Sequence, residues 1–288
     1  MSRGIRVVLV GSKGFIGSHA YNKMTERGHY VTSYDLVDGQ NILDFDQLNK
    51  IVREKKPEWI VHLAGQVFLQ PSLDNPQNDA KTNIIGMINV LEVALKHNCG
   101  VVFSSSGAVY GNNYQYPAPV SPYGVSKLTA ERYCMLYKQL YNLTTVVFRF
   151  SSIYGFGRKK TSVNLILDKI MKDETLYVTG DGNQTRDFTY VSDVAEALCM
   201  AVENKFPSGH DAIYDIGTGT TTTLNELIGC IGVLLKKHPE IEYIKANPAD
   251  PKRNALNVSK AEMFGFKSKV SLMDGLKKLI EEEQKCQK

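Results

Sequence analysis

The chain is poor in the features that mark secreted, membrane-spanning, metal-binding or nucleic-acid-binding proteins. Its 288 residues include only five cysteines (Cys99, Cys134, Cys199, Cys230, Cys286), odd in number, scattered, and without a C-x-x-C pair. That usage argues against a disulfide framework and for reduced thiols in the cytoplasm. The first residues lead straight into an apolar strand-like segment with no signal-peptide pattern, and no apolar stretch nears the roughly eighteen residues of a membrane span. The six histidines never recur at helical ligand spacing, so no metal is expected. Lys and Arg (34) barely outnumber Asp and Glu (30), leaving +4 with no long run of like charge, so nucleic acid is not an expected partner. Repeats, low-complexity tracts and long linkers are lacking too. At this length, with 43% apolar and 22% charged residues, the chain can bury one large core or two modest ones.

What is present is a rhythm. Strand-like apolar runs recur at 7–10, 31–34, 59–63, 100–104 and 145–150, separated by helix-like segments at 15–27, 44–55, 80–98 and 124–141. This alternation predicts an α/β fold, a doubly wound parallel sheet of the Rossmann type. Ligands of such sheets bind outside the carboxyl ends of the strands. The glycine loop after Val10, Asp35, Ala64-Gly65-Gln66, Ser104–Ser106 and the residues after Phe150 all fall at strand ends and so converge on one edge. After Gly155 the elements shorten: helices at 163–172, 192–203 and 223–237, a strand at 212–216 and the loop Thr179–Asp187. The expected division is a cofactor domain over 1–155, rejoined by 187–217, and a smaller mixed α/β substrate-binding lobe over 156–186 and 218–288.

The glycine loop reads Gly11-Ser-Lys-Gly14-Phe-Ile-Gly17, between a strand and a helix that Gly28 ends. That order is the context a dinucleotide fingerprint requires. Gly11 permits the tight turn, Gly14 lets backbone N–H groups approach a pyrophosphate, and Gly17 allows close helix–strand packing. Asp35 follows about twenty residues on, at the end of the second strand, where a carboxylate accepts from ribose hydroxyls and repels a 2′-phosphate. NAD is therefore favoured over NADP, although Lys13 inside the loop could meet such a phosphate.

Tyr123-Gly-Val-Ser-Lys127 supplies a phenol and an ammonium group one helical turn apart. A nearby cation favours phenolate, drawing a tyrosine towards the working range of a general base. Among 15 tyrosines, about one such spacing arises by chance; its surroundings supply the weight. Those are Ser104-Ser-Ser-Gly-Ala-Val-Tyr-Gly111, Ser121-Pro-Tyr-Gly-Val-Ser-Lys127, His62-Leu-Ala-Gly-Gln66, Arg149-Phe-Ser-Ser-Ile-Tyr-Gly155, Gly180-Asp-Gly-Asn-Gln-Thr-Arg-Asp-Phe-Thr-Tyr-Val191 and Tyr214-Asp-Ile-Gly217, with Arg253 ahead of Ser259-Lys-Ala.

In that order these segments resemble the extended short-chain dehydrogenase/reductase family, specifically its NAD-dependent nucleotide-sugar epimerases and dehydratases, from about Val7 to Phe266. The resemblance implies that Gly11, Gly14 and Gly17, with the amides of Phe15 and Ile16, hold the pyrophosphate of NAD. It implies Asp35 at the adenosine ribose, Asn41 and Ile42 at the adenine, where the family usually has Asp, and Ala64, Gly65 and Asn83 along the dinucleotide. Ser106, Tyr123 and Lys127 would form the catalytic triad, Lys127 also bonding the nicotinamide ribose. Arg186 and Arg253 would grip the substrate pyrophosphate, Tyr177 would lie at the nucleotide base, and Ser152 stands where the family commonly has Asn. Each has a plain alternative: Arg186 could pair with Asp187 or Asp181 in a turn, Arg253 could be a solvated charge, and Ser104 and Ser105 could satisfy the strand end. Family members also dimerise through two helices, here 80–98 and 124–141, whose apolar positions (Ile84, Ile85, Ile88, Leu91, Leu95; Leu128, Met135, Leu136) exceed one buried stripe. A homodimer is expected.

The reaction implied is oxidation of a sugar hydroxyl of a nucleotide-diphosphate sugar. The dehydratases carry an acidic pair after the catalytic Ser or Thr, and here Gly107 and Ala108 stand there, so 4,6-dehydration is disfavoured. A 4-epimerase is the simplest outcome. A 4-ketoreductase or dehydrogenase on the same scaffold and a non-enzymatic dinucleotide sensor are the rivals, the last weakened because all three triad residues are present.

Overall fold

The computed structural model describes residues 3–113, 115–157, 161–208, 211–246, 252–254 and 256–286. The first half runs β1 (Arg6–Val10), α1 (Phe15–Glu26), β2 (Tyr30–Tyr34), α2 (Phe45–Lys55), β3 (Trp59–His62), α3 (Leu69–Asp74) and α4 (Pro76–Ala80). It continues through α5 (Gly86–His97), β4 (Gly100–Ser106), α6 (Pro122–Tyr141) and β5 (Thr145–Phe150). Next come β6 (Ser152–Tyr154), α7 (Ser162–Met171), β7 (Leu176–Thr179), β8 (Thr185–Arg186), β9 (Phe188–Tyr190) and α8 (Val191–Val202). The chain closes with β10 (Ile213–Ile216), β11 (Thr222–Thr223), α9 (Leu224–Leu235), β12 (Ile241–Ile244), β13 (Arg253–Asn254), α10 (Ser259–Glu262) and α11 (Leu272–Cys286).

Six strands form one parallel sheet in the order β10-β5-β4-β3-β1-β2. Alternation along β1 shows why both faces are covered: Val7 and Leu9 join the core under α1 and α8, whereas Val8 and Val10 join the core under α2, α5 and α6. A sheet buried on both sides needs apolar runs along its inner strands, and β1, β3, β4 and β5 supply them, whereas the edge strand β2 is only partly buried. The chain steps from β1 out to β2, then returns to β3 on the other side of β1. That reversal opens a crevice at the carboxyl ends of β1 and β3.

A third core belongs to the later elements: Tyr154, then Val163, Leu167 and Ile170 of α7, Leu176 and Val178 of β7, Leu227 and Ile231 of α9, and Leu276 and Leu279 of α11. Strands β7 and β12 pair with each other, β6 with β9, and β8 lies between β11 and β13. Strand β10 instead joins the large sheet beside β5. The loop expected over Thr179–Asp187 therefore contains a short strand, formed because β11 and β13 offer it partners on both edges.

The helix expected as unbroken over 80–98 is interrupted. Between α4 and α5 the residues Lys81–Ile85 form a π turn. A π turn of this kind is a single-turn bulge inside an α-helix, and five residues are too few for apolar spacing to reveal it. Its consequence is local: it aims Asn83 inward, where that side chain is buried.

Candidate active site

The glycine loop forms a backbone cradle. Gly11 has φ +85°, open to glycine at little cost, and a Cβ there would lie 2.6 Å from the Ala64 amide nitrogen. A Cβ on Gly17 would lie 2.0 Å from the Gly11 carbonyl oxygen. Helix α1 has no side-chain N-cap and no acid in its first turn, whereas α2, α6, α7 and α9 are capped by Asp44, Ser121, Thr161 and Thr223. An uncapped positive helix end, walled by backbone, suits a diphosphate. Asp35 closes one side: its two oxygens accept from the Lys13 amide at 2.8 Å and the Val37 amide at 3.0 Å. The Lys13 ammonium is taken by Asp38.

At the end of β4, Ser106 caps a 3₁₀ turn over Gly107–Tyr110, its Oγ accepting from the Ala108 amide at 3.1 Å. Its O–H stays a donor. Helix α6 starts at Ser121, whose hydroxyl caps it, with Pro122 as its first residue. Tyr123 and Lys127 then share one face, the ammonium 6.0 Å from the phenol ring centroid. Lys127 is buried and donates to the Ser104 carbonyl at 2.9 Å. Burial pulls its pKa down to about 8, against the charges of Asp79 and Glu131. His62 beside it is pushed to about 3 by burial and then by Lys127. It stays neutral, stacked on Phe103.

Behind this group runs a buried chain of polar side chains. Ser105 donates to Glu131, one turn beyond Lys127 on α6. Both Glu131 oxygens accept from Arg149, at 2.9 Å from Nε and 2.6 Å from Nη2. Arg149 also donates to the Tyr110 hydroxyl at 2.7 Å. Tyr110, pushed up to about 12 by burial and by Asp215, remains protonated and donates to both Asp215 oxygens at 3.0 and 2.9 Å. Asp215 further accepts from the Asn257 amide at 3.1 Å. The chain ties the serine-bearing strand, the tyrosine-bearing helix and the C-terminal segment together.

The sequence profile of the NAD-dependent epimerase/dehydratase family matches residues 7–217. This protein belongs to that family. A UDP-glucose 4-epimerase of Mycolicibacterium smegmatis is 30% identical over 96% of this chain and 98% of its own length. The crystal structure of the Thermotoga maritima UDP-glucose 4-epimerase with UDP-glucose superposes with a TM-score of 0.92, at 31% identity over 99% of this chain and 100% of that one. The Thermus thermophilus UDP-glucose 4-epimerase, solved as a complex with NAD, gives a TM-score of 0.90 at 28% identity, over 97% of this chain and 99% of that one.

For a member of the epimerase/dehydratase family, NAD is the expected coenzyme, and the cradle fits it: the loop and Gly65 leave no space for side chains where the dinucleotide would run. A Cβ on Gly65 would lie 2.7 Å from Asn83 Oδ1 and 3.5 Å from Lys127 Nζ. Ala64, Gly65, Asn83, Tyr123 and Lys127 are thus gathered beside the loop. The two residues expected at the adenine behave differently. Asn41 Oδ1 accepts from the Leu43 amide at 2.9 Å, and the Ile42 side chain is buried in the core against Gly86. The Ile42 side chain is thus committed to packing, which leaves its backbone as the part that could face a ligand.

The expected substrate residues lie on the later elements. The Ser152 amide donates to the Asp187 carbonyl at 2.9 Å, and Arg186 Nη1 donates to the Thr185 carbonyl at 2.9 Å. The Asp187 carboxylate is occupied by the Thr218 amide and hydroxyl and the Gly219 amide, so it organises that turn. Tyr177 is exposed on β7, with the Lys169 ammonium 5.1 Å from its ring. Arg253 pairs through its backbone with Thr185; its side chain lies outside the described part of the structure. Sequence reading passed over Asp79, Glu131, Tyr110 and Asp215. Charged or phenolic side chains at apolar-flanked positions were the available signal.

Proposed function

We propose that this protein is a UDP-hexose 4-epimerase that retains NAD. The observation that carries the reading is the burial of Lys127 beside Tyr123, bonded to the Ser104 carbonyl of the strand that ends at Ser106, with the glycine cradle adjoining through Gly65. In this reading Tyr123, as phenolate, accepts the proton of the sugar C4 hydroxyl and later returns it. The Lys127 ammonium would offset the phenolate charge, and the two N–H donors not used by Ser104 would be available to a ribose. Ser106 donates to the C4 oxygen as that oxygen becomes a ketone. NAD, held by the glycine cradle and Asp35, would supply the hydride acceptor and donor, and inversion at C4 would follow if the ketosugar, tethered by its pyrophosphate, turned its other face to the ring before hydride returned. Positioned proton transfer of this kind contributes about 10²–10⁴-fold.

Gly11, Gly14, Phe15, Ile16, Gly17 and Asp35 would hold the dinucleotide, and Arg186, Arg253, Ser152 and Tyr177 the UDP-sugar. The division into a cofactor domain (1–155 with 187–217) and a substrate lobe (156–186 and 218–288) is supported by β10 joining the large sheet while α7, α9 and α11 share their own core. A homodimer is supported by exposed Ile85, Val125, Leu136 and Leu140 on the π turn and α6, whereas Leu91 of the expected stripe is core. Five unpaired thiols support a cytoplasmic site.

The test is conversion of UDP-glucose and its C4-epimer, followed by proton NMR with no coenzyme added. Turnover is expected, and Tyr123→Phe should abolish it while the protein still carries NAD. A requirement for stoichiometric NADH or NADPH would replace the epimerase by the ketoreductase. Gly107 and Ala108 in the 3₁₀ turn offer no acid for dehydration.

A further inference from the structure

Just ahead of the π turn, α4 carries a second carboxylate whose charge acts on Lys127 and which the mechanism above leaves unused. Asp79, on α4, is buried. One oxygen accepts from Gln66 Nε2 at 2.8 Å and Asn83 Nδ2 at 3.2 Å. The other is buried and has no hydrogen-bond partner among the described residues. Among the described residues Asp79 forms no salt bridge. Asn83 spans the space between: its amide nitrogen also donates to the Gln66 carbonyl and Ser126 Oγ, both at 3.0 Å, and its oxygen accepts from the Gln66 amide at 2.9 Å. Gly65 borders both Asn83 and Lys127.

The charges can be counted. Lys127 is faced by the Ser104 carbonyl and the Phe103 ring from β4, by neutral His62 from β3, by Tyr123 and Glu131 on its own helix, and by Asp79 from α4. Glu131 is already matched by Arg149 through two hydrogen bonds. Among the described residues, that leaves Asp79 as the carboxylate facing Lys127 with no ion pair of its own, and Lys127 as a buried ammonium with no ion pair. A buried charge is tolerated when an opposite charge lies near it.

We propose that Asp79 is a positioning residue of this site, holding Gln66 and Asn83 in place and supplying the counter-charge that keeps the Lys127 ammonium protonated during turnover. The inference rests on the epimerase reading for its catalytic consequence, but not for its electrostatics. A purely structural role is separable, because Asn at position 79 can accept the same two hydrogen bonds while carrying no charge.

The experiment uses the purified holoenzyme labelled with ¹³Cε-lysine. The Lys127 signal, identified by its loss in Lys127→Met, is titrated in wild type, in Asp79→Asn and in Asp79→Ser, which is smaller, admits water, and serves if Asn does not fold. The midpoint should drop by about one unit or more without the carboxylate. The alkaline limb of the kcat profile for UDP-glucose should move down with it, kcat at pH 8 falling about fivefold or more with KM within about twofold. An unmoved midpoint in a folded variant overturns the proposal, as does a rise in KM with kcat and its pH profile intact. Wild type that shows the lysine shift but epimerises no UDP-sugar would sink the proposed function, yet support the charge assignment of Asp79.

Discussion

Glu131→Gln probes the buried ionic chain most directly. Glu131 is 0% exposed and Arg149 9%, and the pair meets through two short hydrogen bonds, 2.9 and 2.6 Å. Burial works against the Arg149 charge, and the hydrogen bonds and charge of Glu131 more than offset that. Glutamine preserves the shape and one acceptor, but leaves the guanidinium charged and uncompensated. Removing one partner of a buried pair costs about 3–5 kcal/mol. For a chain of this length about 2 °C accompanies each kcal/mol, so Tm should fall by roughly 6–10 °C. The assay is built in: Trp59, the sole tryptophan, is 5% exposed on β3, and its fluorescence in urea reports the sheet. The double variant Glu131→Leu/Arg149→Met removes both charges, leaving the Ser105 hydroxyl without its acceptor and Tyr110, still bonded to Asp215, without the Arg149 donor, about 1 kcal/mol each. It should therefore be more stable than the two single changes added together by about 2 kcal/mol or more. Strict additivity, or a glutamine variant within about 1 kcal/mol of wild type, would refute the reasoning.

Two further changes address the cradle and the lysine. Gly17→Ala sets a methyl 2.0 Å from the Gly11 carbonyl and 2.8 Å from Ser12 Cα; neither backbone atom can yield, so α1 must lift from β1, costing about 1–3 kcal/mol. Co-purified NAD should drop at least about tenfold, and a variant retaining its full complement would contradict the cradle. Lys127→Met should change how stability varies with pH. The unfolded lysine titrates near 10.5 and the folded one at about 8, so between those values the unfolded chain holds one more proton. Wild-type stability from this group is therefore full above 10.5 and lost as pH falls through 8, with a slope of about 1.4 kcal/mol per unit. Groups common to both proteins cancel, so wild type minus variant should rise by about 3 kcal/mol from pH 7.5 to 10.5. Parallel stability curves would show that Lys127 is not held in that environment.

The parts legible from the chain alone were those written in local order. A β-branched run, then Gly11–Gly17, then a helix, is a strand, turn and helix wherever it occurs, and its repetition forces a parallel sheet covered on both faces. The spacing from Tyr123 to Lys127 is one helical turn, so a shared face needed no tertiary knowledge. Family resemblance added roles for Ser106, Arg186 and Arg253 because their segments occur in a fixed order.

Other features depended on the folded chain. Ile42 and Asn41 are adjacent, yet one is buried beneath α5 and the other caps its own turn, a difference that packing decides. Asp79 and Lys127, or Tyr110 and Asp215, lie far apart in sequence, and no periodicity marks them as neighbours. Whether a buried carboxylate has a cation, a hydroxyl or nothing beside it depends on which helices meet. For Asp79 that is settled by Gln66 and Asn83, the latter within the π turn at Lys81–Ile85. Charge balance in a core is a sum over contacts made in three dimensions, and only the tertiary structure supplies the terms.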